Sequence, residues 1–120
     1  LHPDTKDSKN RTPLGLAAKH GRVDYVKILA AREDVDVDWE NHRSMTPLLL
    51  AVLNGREEVV RILTLLHFGL DPDMKDSKSR TPLGLAAKHG RVDFVKILAA
   101  RGDVDVGWEN YKFMTPLLLA

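Results

Sequence analysis

The stretch that decides the fold is TPLGLAAKHGRVDYVKILAA, Thr12–Ala31, which returns at Thr81–Ala100 with one change, Tyr25 to Phe94. It opens with Thr-Pro, a helix start: threonine caps, and proline suits the first helical position because its missing N–H would have no partner there. Leu14, Leu16, Ala17 and Ala18 follow, and Gly21 offers a left-handed backbone at which the helix stops. A second helix is expected from Val23-Asp24, with Tyr25, Val26, Ile28 and Leu29 as its apolar stripe and Lys27 in water.

The rest of the chain repeats this unit. Shifted by 69 positions, residues 1–51 fall on residues 70–120 with nine mismatches. Thr-Pro-Leu occurs at Thr12, Thr46, Thr81 and Thr115, stepping by 34, 35 and 34 residues. Helices are predicted over Pro47–Asn54 and Glu57 to about Leu66, and again over Pro82–His89 and Val92–Ala100. None reaches the ~12–15 residues at which an isolated helix becomes marginal in water, so each must be stabilised by stacking on its neighbours. The predicted fold is an all-α solenoid of helix-turn-helix units with extended connections, spanning 1–120 as one array. Its parts are a partial finger at 1–11, repeats at 12–45, 46–80 and 81–114, and a partial repeat at 115–120.

Composition excludes several function classes. With 18 Lys and Arg against 17 Asp and Glu, the net charge is +1, without the basic excess of a duplex nucleic-acid binder. There is no cysteine, hence no disulfide framework, thiolate nucleophile or cysteine-held zinc. The polar start LHPDTKDSKNR is no signal peptide, and the longest apolar run, Leu48–Leu53, is far too short for a membrane span. An intracellular chain, cytoplasmic or nuclear, is expected.

Nor does the sequence carry the pattern of an enzyme or a metalloprotein. It has no G-x-S-x-G, P-loop or G-x-G-x-x-G, and no two histidines share a helix face around a glutamate. Asp34, Asp36 and Asp38 have the opening spacing of a calcium loop, but Trp39 stands where glycine is required and Met45 where a bidentate glutamate is required. The expected reading is a solvated acidic connection, with Val35 and Val37 alternating inward. No catalytic residue, metal or cofactor is expected. Trp39 and Trp108 are expected to fold over their own connections.

TPLGLAAKHGRVDYVKILAA resembles an ankyrin repeat, in which Thr-Pro-Leu, an alanine pair, a helix-ending glycine and an aliphatic second helix recur in register. The resemblance covers essentially the whole chain. The phrase ARxDVDVxWEN in near-identical tandem units is also similar to ankyrin arrays of a fungal type. The chain departs from the family where a histidine normally follows Thr-Pro-Leu; Gly15, Leu49, Gly84 and Leu118 stand there. Two residues before the threonine, Asn10, Ser44, Ser79 and Phe113 replace the family glycine. Asparagine tolerates a left-handed backbone, whereas Phe113 is incompatible with a standard tight hairpin. The second helix of repeat two is expected to be longer or to end irregularly, because RILTLLHF carries about two extra residues.

The resemblance implies a non-catalytic protein-recognition module docking its partner on fingertips and first-helix ends. Carried over by position, the fingertips are Ser8, Lys9 and Asn10; His42, Arg43 and Ser44; Ser77, Lys78 and Ser79; and Tyr111, Lys112 and Phe113. The first-helix ends are Lys19 and His20, Leu53 and Asn54, and Lys88 and His89. Of the nine mismatches, eight lie in connections and only Tyr25/Phe94 in the helical body. The basic residues around the fingers predict a partner with an acidic surface. The alternative is a structural spacer or a self-associating array. The apolar LLLA end, where a solenoid needs a polar cap, predicts end-to-end contacts through uncapped termini, a fragment of a longer array, and frayed or covered residues at Leu117–Ala120.

Overall fold

A computed structural model describes residues 3–65, 69–101 and 104. Among the described residues six helices follow one another: α1 (Pro13–Lys19), α2 (Val23–Ala30), α3 (Pro47–Leu53), α4 (Glu57–Leu65), α5 (Pro82–Lys88) and α6 (Val92–Ala100). The described residues contain no strand. Helices α1, α3 and α5 form one layer and α2, α4 and α6 a second; each helix packs on its partner in the unit and on its counterpart in the next.

Each unit is built by the same local chemistry. The hydroxyl oxygens of Thr12, Thr46 and Thr81 accept from the N–H groups of Gly15, Leu49 and Gly84 at 3.2, 3.2 and 3.0 Å, capping helices whose first residue is proline. At the other end Gly21, Gly55 and Gly90 adopt φ of 69°, 71° and 66°. The left-handed residue lets two N–H groups return to the helix: Gly21 N–H to Ala18 O at 3.3 Å and Arg22 N–H to Ala17 O at 2.9 Å. The second helix starts at once, Val26 N–H bonding Arg22 O.

The same turn couples neighbours. Arg56 lies over Gly21, its Nε donating to Lys19 O at 3.0 Å, and a Cβ on Gly21 would stand 2.9 Å from Arg56 Cδ. Arg91 covers Gly55 in the same way, with a Cβ contact of 3.0 Å.

The core runs between the layers as one cluster that includes Leu14, Val26, Leu48, Val60, Leu63, Leu83 and Leu98. Val35 and Val37 are buried and Asp34 and Asp36 exposed, as alternation predicted. The stripe expected on α2 needs correction: Tyr25 is 62% and Ile28 63% exposed, and only Val26 and Ala30 are buried. Their counterparts on α6, Phe94 and Ile97, are 4% and 7% exposed because α4 lies against that helix. An identical pattern is therefore two-sided in one copy and one-sided in the other. Helix α4 has nine residues, as has α6, against eight in α2. The expected irregularity at 66–68 and the expectations for Trp108, Tyr111–Phe113 and Leu117–Ala120 lie outside the described residues.

Candidate functional site

Between the units the chain forms fingertips, each organised by one short side chain. Asp7 Oδ1 accepts from the N–H groups of Lys9 and Arg11, both at 2.9 Å. Asn41 Oδ1 accepts from Arg43 and Met45 at 2.8 and 3.0 Å, and Asp76 Oδ1 from Lys78 and Arg80, both at 2.9 Å. A short side chain that binds the backbone two residues on closes a turn by itself. The fourth residue of each turn, Asn10, Ser44 or Ser79, takes φ of 60°, 58° or 60°, the left-handed conformation foreseen for this position. Asp7, Asn41 and Asp76 were missed by sequence reasoning; their recurrence at steps of 34 and 35 residues was the available signal.

The two carboxylates are held in their ionised form. The Arg11 backbone N–H is the largest influence lowering Asp7, against some desolvation, with the Arg11 guanidinium and Lys9 N–H adding to it. At Asp76 burial pushes upward, but the Arg80 N–H, the Arg80 guanidinium at 2.7 Å and the Lys78 N–H together keep it below the usual carboxylate range.

Neighbouring fingers are bonded together. His42 N–H donates to Lys9 O at 3.1 Å and Ser77 N–H to Arg43 O at 3.3 Å. His42 Nδ1 lies 3.0 Å from Lys9 O; a carbonyl only accepts, so Nδ1 carries the hydrogen. Trp39 Nε1 donates to Asn10 O at 3.1 Å, and Lys6 Nζ sits 3.9 Å above its ring. Trp39 is thus tied to the preceding finger rather than folded over its own connection as expected, and it also lines the groove described next.

Fingertips and first helices enclose a groove of about 540 Å³. Of the residues singled out from the sequence, it brings together Lys9, Asn10 and Lys19, His42 and Arg43, Leu53 and Asn54, and Ser77 and Lys78. Ser8, His20, Ser44, Ser79 and Lys88 do not line it, and His89 borders a separate shallow depression with Arg91 and Phe94. Its apolar floor is Leu16, Leu50 and Leu53. Among the described residues six cations line it, Lys9, Arg11, Lys19, Arg43, Lys78 and Arg80, against a single carboxylate, Asp76. Arg11 and Arg80 are paired with Asp7 and Asp76, whereas Lys9, Lys19, Arg43 and Lys78 make no ion pair among the described residues.

Asp34, Asp36 and Asp38 of the connection after α2 are engaged within the protein. Asp36 Oδ1 accepts from Asp38 N–H at 3.0 Å, Asp38 Oδ2 from Asp71 N–H at 2.8 Å, and Asp34 binds Arg32 at 2.8 Å. Among the described residues no group of three or more metal-binding side chains converges, and no helix is long and apolar enough to cross a membrane.

No curated protein sequence matches the chain. A family model described as ankyrin repeats in three copies matches residues 1–76, and a second, described as ankyrin repeats in many copies, matches residues 62–99. Together with the stacked helix pairs and bonded fingers, these matches show that the chain belongs to the ankyrin-repeat family, whose repeats are generally protein–protein interaction modules.

Proposed function

We propose that this protein is a non-catalytic recognition module that holds an acidic protein surface in the groove between its fingertips and first helices. The observation that carries this reading is the segregation of charge: the whole chain is near neutral, while the groove presents six cations and one carboxylate. Such a field draws in an anionic partner and fixes its orientation. Nucleic acid and membrane are not the proposed partners, because the chain lacks overall basic excess. The absence of cysteine fits work in a cytoplasmic or nuclear compartment.

Calorimetry with a polyglutamate peptide tests this reading. Binding is expected at low salt, weakening as salt rises, and falling by about tenfold or more when Lys9, Arg43 and Lys78 are changed to glutamate. Equal binding to the reversed variant would place the contact elsewhere.

A second reading, a self-associating array, is favoured by one observation. Tyr25 and Ile28 present on α2 the same face that Phe94 and Ile97 bury against α4. Sedimentation of the wild type and of a Tyr25→Ser/Ile28→Ser variant separates the readings. A concentration-dependent oligomer lost in the variant supports self-association, and a monomer throughout removes it.

A further inference from the structure

The groove has two chemically different walls, and their arrangement bears on the conformation of what fits. One wall is the row of fingertips. Lys9, Arg43 and Lys78 occupy the third position of three successive turns, 34 and 35 residues apart. Their main chains are held in register, since the carbonyls of Lys9 and Arg43 accept from the next finger. The exposed side chains thus form a row with one cation per repeat. The first-helix wall, by contrast, carries the leucines: Leu16 and Leu50 are half-buried and Leu53 is 40% exposed at the end of α3, with Lys19 at the end of α1 as the cation on this side.

We propose that the groove takes an extended segment of an acidic protein in which apolar and acidic residues alternate. In an extended chain successive side chains point to opposite sides. One set then faces the leucines while the other carries carboxylates to Lys9, Arg43 and Lys78. A helix fits less well. With its side chains it is ~10–12 Å across and rises ~5.4 Å per turn, so one turn fills about 500 Å³. The groove's 540 Å³ would be used up by a single turn, yet it borders three fingers. The charge balance of the walls sets the sign of the partner, and the position of the leucines below the cation row sets its alternation.

This inference rests on the groove being the recognition surface, so the experiment separates the two claims. Fluorescence anisotropy is measured with a short dye-labelled peptide of alternating leucine and glutamate. The comparators are a glutamate-only peptide of equal charge, a peptide of the same composition with leucines at helical spacing, and single-stranded oligodeoxythymidylate of equal charge. The alternating peptide is expected to bind about tenfold tighter than the glutamate-only one, the gain expected from partly burying leucine side chains. Leu53→Gln, checked for folding by circular dichroism, should bring the affinities of the alternating and glutamate-only peptides together. Arg43→Glu, at an exposed tip, should weaken both peptides. Equal affinity for the alternating and glutamate-only peptides overturns the inference and leaves the acidic-partner reading intact. Preference for the helically spaced peptide or the oligonucleotide also overturns it. Failure of both acidic peptides to bind overturns the reading of the groove, and this inference with it.

Discussion

Asp76 is the position where the fingertip argument can be put to a quantitative test. Its side chain is 1% exposed; Oδ1 accepts from two backbone N–H groups at 2.9 Å and Oδ2 from Arg80 Nε at 2.7 Å. Asp76→Ala removes all three. A hydrogen bond to a charged group contributes ~1.5–3 kcal/mol, and water regains part of the loss at the half-buried Lys78 and Arg80 N–H groups, so the net cost should be about 3 kcal/mol. Asp76→Asn is a different experiment. Asn41 occupies the same place in the second finger and bonds Arg43 and Met45 N–H at 2.8 and 3.0 Å. An amide oxygen therefore suffices for the turn, but Asp76→Asn loses the charged bond to Arg80 and turns an NH2 donor towards its Nε–H, so it should cost about 1.5–2 kcal/mol, less than alanine.

The acid dependence follows from the depressed pKa of Asp76. A carboxylate with a lower pKa in the folded state stabilises fully above its unfolded value of 3.8 and loses that contribution as pH falls through the folded value. The gap between wild type and Asp76→Asn should thus be constant near neutrality and close below pH 3.8. Urea unfolding followed by circular dichroism at several pH values measures both effects. Equal destabilisation by alanine and asparagine would refute the acceptor argument, because it would mean that charge alone matters at this position.

Two further predictions address the stack. Gly21→Ala and Gly90→Ala both place a side chain at positive φ, at ~1–2 kcal/mol each, but only at Gly21 would the new Cβ meet Arg56, at 2.9 Å. Gly21→Ala should therefore be the more destabilising in urea titrations, and equal losses would show that Arg56 moves aside without cost. Exchanging the aromatic pair reads the end of the stack. Tyr25→Phe at the exposed site should change stability by less than about 0.5 kcal/mol, whereas Phe94→Tyr forces a hydroxyl into a buried site and should cost ~1–3 kcal/mol, both measured by chemical denaturation.

What could be read from the sequence was whatever is decided within one unit. Thr12, Pro13 and Gly21 are local instructions, satisfied by bonds spanning at most five residues, and the helices start and stop where those residues place them. What could not be read depends on neighbours. Tyr25 and Phe94 sit in almost identical sequence, yet one faces solvent and the other α4, and no property of the unit distinguishes them. The fingertips lie between these cases. Their exposed positions were legible as connections, but the groove also draws on Arg11, Leu16, Asn41, Leu50 and Arg80 and leaves Ser8, His20 and Ser44 aside. That selection follows from the bonds between fingers, whose partners stand some 33 residues apart and carry no local signature.

Those same bonds explain which part of the finger can change. Position one of each turn must accept two N–H bonds, and Asp7, Asn41 and Asp76 all do. Position four must tolerate positive φ, and Asn10, Ser44 and Ser79 do. At position three the carbonyls of Lys9 and Arg43 bind the next finger, which constrains the main chain while the side chain stays exposed, and a cation stands at this position in all three described fingers. Position two, Ser8, His42 or Ser77, is exposed in every finger, and its side chain closes none of these turns. A change at this position leaves each turn closed, yet it reaches the tie between fingers: the His42 ring adds a second bond to Lys9 O beside the main-chain one, which Ser77 makes to Arg43 O by its N–H alone.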